Sequence, residues 1–134
     1  MSKIKRMKIL TYSSFLFIIP SIYAFIKAYY FHCFMLSFTS IVSANYWRNA
    51  IHGWRRNSDL VVSKIAFTVY VYNGIIYIRW FPFVITGYSG LVILLYCFYL
   101  SNIQFREKNK NWYKYHVAFH CIMTYEQLII LLSV

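Results

Sequence analysis

The chain has 134 residues, of which 60% are hydrophobic, 22% aromatic and 13% charged. Soluble domains are typically about 45–50% apolar and about 25% charged, so this composition excludes a water-soluble globule, a disordered chain and a disulfide-rich mini-protein. The net charge of +11 comes from 14 Lys and Arg against three Asp and Glu, and the bases lie mainly between apolar runs. Their placement favours anionic lipid head groups as partners, and we expect no nucleic-acid partner.

Five apolar segments follow one another, each close to the roughly 20 residues with which a helix crosses a bilayer. They predict an all-α fold: a polytopic transmembrane helix bundle that forms a single membrane domain over residues 1–134. The predicted spans are 9–26, 30–47, 60–78, 82–102 and 115–134. Because the first two would together make one helix of roughly 58 Å in a bilayer core of about 30 Å, the chain must turn near residues 27–31.

The first span follows a basic N-terminal stretch, as the apolar core of a signal peptide would. It is longer than such a core and precedes no clear cleavage site, so we interpret it as a retained span.

In the fourth span, Pro82 suits the first helical turn, where no hydrogen-bond donor is lost. Gly87 and Gly90 are small residues of the kind at which membrane helices pack closely.

Basic residues alternate between the two ends of the predicted bundle. From the N-terminus through the four loops they number four, one, three, one and four. The positive-inside rule then predicts a cytoplasmic N-terminus, and an odd number of spans places the C-terminus on the opposite side. The four tryptophans fall at or just beyond span ends, as in an aromatic belt. The chain is therefore predicted to be a multi-pass membrane protein.

Polar side chains inside a membrane span are costly and mark candidate sites. His116 and His120, four residues apart, share one helical face, and two imidazoles so placed can hold one metal ion. The alternative is two unrelated histidines that face head groups or loop carbonyls near the interface. In the predicted topology Ser43, Asp59 and His52 lie at the same cytoplasmic end of the bundle as this pair.

The order of Ser43, Asp59 and a C-terminal H-x-x-x-H resembles the CREST group of membrane hydrolases, which includes the alkaline ceramidases and the progestin/adiponectin-receptor-type proteins. In that group a Ser and a His near the end of the second span, an Asp at the third and the histidine pair in the last surround a zinc ion. The resemblance implies Ser43 and Asp59 as catalytic residues and Zn²⁺ as cofactor. Trp47 replaces the third histidine of the group, and five spans are predicted here instead of seven.

In a site of this kind His116 and His120 would bind Zn²⁺ together with His52 or Asp59, leaving one position for water. Zinc supplies hydroxide near neutral pH, which Asp59 would orient or generate as a base. Ser43 would donate a hydrogen bond to the developing oxyanion. Because a site in the inner leaflet is reached from the bilayer, the expected reaction is hydrolysis of a lipid amide or ester.

Glu126 lies ten residues beyond His116, about 15 Å along a helix, which is too far to share its metal. We expect its carboxyl to hydrogen-bond another helix; the alternative is a proton or ion relay. The three cysteines lack C-x-x-C spacing and are interpreted as small apolar helix residues.

Three functions remain open, each compatible with self-association: a non-catalytic assembly or structural component, a reduced CREST-like zinc hydrolase, and a transporter or channel subunit that uses Glu126.

Overall fold

The structure, a computed structural model, describes residues 2–51 and 53–134. All regular elements in these two ranges are helical, which confirms the predicted all-α fold. They are α1 (Lys3–Ser14), a 3₁₀ turn (Phe15–Phe17), α2 (Ile18–Ile26), α3 (Tyr30–Trp47), α4 (Trp54–Tyr77), α5 (Phe81–Arg106) and α6 (Trp112–Ser133). The first helix, the 3₁₀ turn and α2 run on as one rod, Lys3–Ile26, which we call the first rod.

Four helical segments in the described part of the chain are long and apolar enough to cross a membrane: Lys3–Ile26, Trp54–Tyr77, Phe81–Arg106 and Trp112–Ser133. The chain is therefore a multi-pass membrane protein. These segments begin one to six residues before the corresponding predicted spans. The remaining predicted span, 30–47, has the bounds of α3, but α3 is not apolar enough to join this set. Its apolarity is reduced by polar side chains that the bundle buries.

Successive helices in the first part of the bundle run antiparallel. Ser21 of α2 donates to the Cys33 carbonyl near the start of α3 at 3.1 Å, whereas Ser14 of α1 contacts Ser43 near its end. Helix α4 reverses direction again, because Asn73 near its C-terminal end lies 3.3 Å from His32 at the start of α3. The first rod, α3 and α4 therefore form an up-down-up arrangement.

The last two helices form a second antiparallel pair. Phe105 near the end of α5 packs on Trp112 at the start of α6, and Phe98 packs on Phe119 about two turns further in. Helix α6 also contacts the first rod and α4, whereas α4 and α5 make little contact with each other. A groove therefore runs between α4 and α5, with α6 as its floor.

The turn predicted near 27–31 occupies residues 27–29 and contains no glycine. Ala28 adopts a left-handed conformation (φ 62°), and the Tyr29 amide donates to the Ala24 carbonyl at 2.9 Å. This is the Schellman arrangement that ends many helices, usually with glycine at the left-handed position. Lys108 (φ 57°) closes α5 in the same way. In both turns the hydrogen bonds hold a residue where its Cβ is unfavourable.

The apolar core lies between the first rod, α3, α4, α5 and α6. Its buried side chains are Phe17, Met35, Leu36, Ala66, Tyr70, Leu94 and Met123. Helix α3 packs between the first rod and α4 and buries polar as well as apolar residues along its length. Helix α5, by contrast, buries only Gly87, Leu94 and Ser101.

Candidate functional site

Six polar side chains from four helices lie at the end of the bundle that carries the connection between α3 and α4. We call them the polar cluster. Its members are Ser13 and Ser14 of α1, Ser43 of α3, Asp59 of α4, and His116 and His120 of α6. They form two groups, one around Asp59 and one around the histidines, and the adjacent serines of α1 link the two.

The first group joins the two residues predicted to be catalytic. Ser43 is buried near the end of α3, and Asp59 is buried in the second turn of α4. The Ser43 hydroxyl lies beside the Asp59 carboxyl, and it is 3.1 Å from the Ser14 hydroxyl. A second hydroxyl, that of Ser63 one turn further along α4, donates to Asp59 at 3.5 Å. The structure therefore brings Ser43 and Asp59 together.

The second group contains the histidine pair. The two rings are 4.7 Å apart between centroids, as their spacing on one helical face predicts. His120 is buried, and its Nδ1 lies 2.7 Å from the Ser13 hydroxyl. His116 is half-buried and packs against aromatic rings, including that of Trp47 at 4.9 Å. The expectation that both histidines face head groups or loop carbonyls is therefore wrong for His120.

Trp47 occupies the place where the CREST group has its third histidine. Its indole lies one helical turn beyond Ser43 and covers the His116 ring. The indole Nε1 is buried and has no hydrogen-bond partner among the residues that the structure describes. An indole cannot ligate zinc, so this side chain supplies aromatic packing where the group supplies a metal donor.

The predicted metal site requires three protein ligands. Within residues 2–51 and 53–134, no three His, Cys, Asp or Glu side chains lie close enough to hold a metal ion. The predicted ligand His52 lies outside the described residues. His116 and His120 alone supply two donors, one fewer than a catalytic zinc site uses. The ligand set that combines the pair with Asp59 is therefore wrong for the described residues, and the set with His52 stays a prediction.

Sequence reasoning missed the two serines of α1. Ser13 and Ser14 are both buried and contact His120 and Ser43, respectively. The signal was present, because adjacent hydroxyls inside an apolar span need partners just as the histidines do. Their partners could not be deduced, however, because Ser13 and His120 are 107 residues apart in the chain.

A second polar group lies nearer the opposite end of the bundle. His32 Nε2 contacts Gln127 Oε1 at 2.8 Å, and His32 Nδ1 contacts Asn73 Nδ2 at 3.3 Å. These contacts join α3 to α6 and α4. His32 therefore belongs to a buried hydrogen-bonded group that fastens three helices, and the sequence did not indicate this role.

Glu126 is buried on α6, and its environment differs from the expected one. Its Oε1 has no hydrogen-bond partner among the described residues, so the predicted bond to another helix is absent for this atom. The carboxyl instead lies over Gly90 of α5, where an added Cβ would overlap Oε1. The prediction that Gly90 allows close packing is confirmed, and the group that packs there is a carboxyl.

Comparison with protein-family models, with curated proteins and with solved structures finds no match to this chain. What the polar cluster can do chemically therefore depends on its own side chains. The Asp59 carboxyl lies beside two hydroxyls, and the His120 imidazole contacts a third, that of Ser13. Such groups can exchange protons, and they can equally serve as hydrogen-bonded fasteners between helices.

Proposed function

We propose that this protein is a non-catalytic component of a membrane assembly, formed by lateral association with further copies of the same chain. Most polar groups of its interior are engaged with one another across helices, as in the pairs Ser13–His120 and His32–Gln127. Such hydrogen bonds hold membrane helices together. Polar side chains used in this way stabilise the bundle and need no substrate to account for them.

The outward face of α5 is the observation that carries the proposal. Val92, Tyr96 and Tyr99 lie at helical spacing, and all three side chains are exposed. Tyr96 follows the start of α5 by fifteen residues and precedes its end by ten, so it lies about 15 Å or more from either end. Hydrocarbon offers its hydroxyl no partner, whereas a neighbouring helix does.

For the orientation we propose a cytoplasmic N-terminus and a C-terminus on the opposite side. This requires α3 to cross the membrane as well as the four more apolar segments. Its 18 residues span about 27 Å, and it runs antiparallel to both neighbours. The N-terminus and the connections 48–53 and 107–111 then share one end of the bundle. Most of the basic residues lie at that end, as the positive-inside rule requires.

The association is tested by energy transfer between donor- and acceptor-labelled full-length copies in lipid vesicles. We expect transfer to persist when lipid is added in large excess. Val92→Trp, which places a bulky ring on the α5 face, should reduce transfer at least fivefold. The matched control Ile22→Trp, at an equally lipid-exposed site on α2, should leave it unchanged. Transfer that falls with dilution as it does for non-interacting proteins would refute self-assembly.

A second candidate is a reduced CREST-like lipid hydrolase, and the contact between Ser43 and Asp59 favours it. The hydroxyl of Ser13 adds support because it engages one ring nitrogen of His120, as partners of zinc-bound histidines do. The zinc content of the purified full-length protein tests this candidate. One zinc per chain, lost in both His116→Ala and His120→Ala but retained in His32→Ala, would favour the hydrolase. A metal-free protein that releases no fatty acid from lipid amides or esters would exclude it.

A further inference from the structure

A cavity of about 100 Å³ opens within the groove between α4 and α5. One water molecule needs roughly 10–15 Å³ on the same measure, so the cavity has room for a small head group. The lining is almost entirely apolar and includes Tyr70, Gly87, Leu94, Met123 and Ile130; its polar members are few, and Glu126 is the acidic one. Within residues 2–51 and 53–134, no Lys, Arg or His side chain lines it.

Glu126 is the residue that determines which polar group this cavity can bind. Its side chain is only 8% exposed, and its Oε1 has no hydrogen-bond partner in the described part of the chain. Two glycines of α5 make room for the carboxyl. A Cβ at Gly90 would overlap Oε1, whereas a Cβ at Gly87 would lie 3.8 Å from Oε2. The fold thus places an unpaired acceptor in an apolar enclosure, which is costly unless a donor fills it.

The depth of Glu126 and the opening of the cavity limit what can enter. Glu126 lies seven residues before the end of α6, or about 10 Å from that end of the bundle. Leu94 and Met123 line the cavity deeper inside. Because α4 and α5 do not close over the groove, it opens sideways to the bilayer. An occupant with a polar head at Glu126 and an apolar tail towards the bilayer centre fits this shape.

We propose that this cavity binds a single-chain amphiphilic amine from the bilayer. The ammonium group donates a hydrogen bond to Glu126, and the alkyl chain extends past Leu94 and Met123 along the groove. A cationic head is favoured over a neutral or anionic one because the carboxyl has no basic side chain beside it. A cation beside a buried carboxylate offsets part of the cost of an isolated charge, whereas an alcohol or a second carboxylate does not.

The test measures saturable binding of dodecylamine to the detergent-purified full-length protein, with dodecanol and dodecanoate as probes of equal chain length. We expect dodecylamine to bind at least tenfold more tightly than either. Glu126→Gln should abolish this preference by weakening amine binding at least tenfold. The matched control Glu107→Gln, at an exposed acid after the end of α5, should leave binding unchanged.

A second variant keeps the test informative if Glu126→Gln lowers expression. Gly90→Ala should weaken amine binding because its Cβ displaces the carboxyl, and Gly87→Ala should weaken it less. The proposal is overturned if dodecanol binds as tightly as dodecylamine, or if Glu126→Gln binds the amine like the natural protein. Energy transfer between copies should be unaffected by Glu126→Gln, so failure here and failure of self-assembly are distinguishable.

Discussion

Helices α3 and α5 have opposite arrangements of polar and apolar residues. Helix α3 is the less apolar of the two, and it packs between the first rod and α4 with His32, Ser40 and Ser43 buried. Helix α5 is among the most apolar segments, and it lies at the periphery with most of its large side chains exposed. In a lipid solvent the apolar surface faces outwards and polar groups find partners inside. Between these two helices, the more apolar one therefore has the larger outward-facing surface.

The largest effect should come from a charge on the outer face of α5. Val92→Lys introduces an ammonium near the middle of this helix, which costs about 2.5–3.5 kcal/mol of insertion free energy. Asn102→Lys, close to the C-terminal end of α5, should cost little because the lysine can reach the interface. Glycosylation mapping of the α5 segment during translocon insertion measures both. Equal insertion of the two variants would mean that Val92 does not lie at the depth of the hydrocarbon core.

A smaller effect is expected from a bulky residue on α3. Ser40 is fully buried and donates to the Ser14 carbonyl at 2.8 Å, so α1 and α3 approach closely there. Ser40→Leu should destabilise the bundle by about 1–3 kcal/mol because the added side chain forces the two helices apart. Ser89→Leu on the exposed face of α5 should be neutral. Denaturant unfolding in detergent compares the two, and equal stability would contradict the inner position of α3.

One substitution in each of the two Schellman turns should stabilise the protein, the first beside α3 and the second beside α5. Ala28→Gly, just before α3, and Lys108→Gly, just after α5, each remove a Cβ from a left-handed residue. We expect each to raise the free energy of unfolding by about 1 kcal/mol, measured in the same denaturant assay. Ser2→Gly, outside the bundle core, is a control without this gain. A loss of stability in either turn variant would disprove the strained conformation.

The smallest effect concerns a single hydrogen bond between α3 and α6. A double-mutant cycle with His32→Phe and Gln127→Leu should give a coupling free energy of about 0.6 kcal/mol, the average for such pairs in membranes. Pairing His32→Phe with Thr86→Ala should give no coupling, because the Thr86 hydroxyl bonds to its own helix. A coupling near zero for the first pair would show that this contact does not fasten α3.

Part of the polar cluster was predictable from the sequence. Ser43 and Asp59 meet because they flank one connection between consecutive antiparallel helices, so a span count alone brings them to the same end. The pairing of Ser13 with His120 was not predictable, since it depends on which of five segments lies beside α6. The Glu126 cavity was not predictable either, because it exists only where α4 and α5 fail to pack on each other.

The sequence by itself determined that the chain lies in lipid, that it is all-helical and roughly where each membrane segment begins and ends. Runs of apolar residues cannot remain in water, and in lipid each must satisfy its backbone as a helix. Only the tertiary structure decided which helices bury their polar groups, which serine contacts which histidine and where a carboxyl oxygen is left without a partner among the described residues. Those outcomes depend on side-chain contacts between segments far apart in the chain, and no local pattern of residues encodes them.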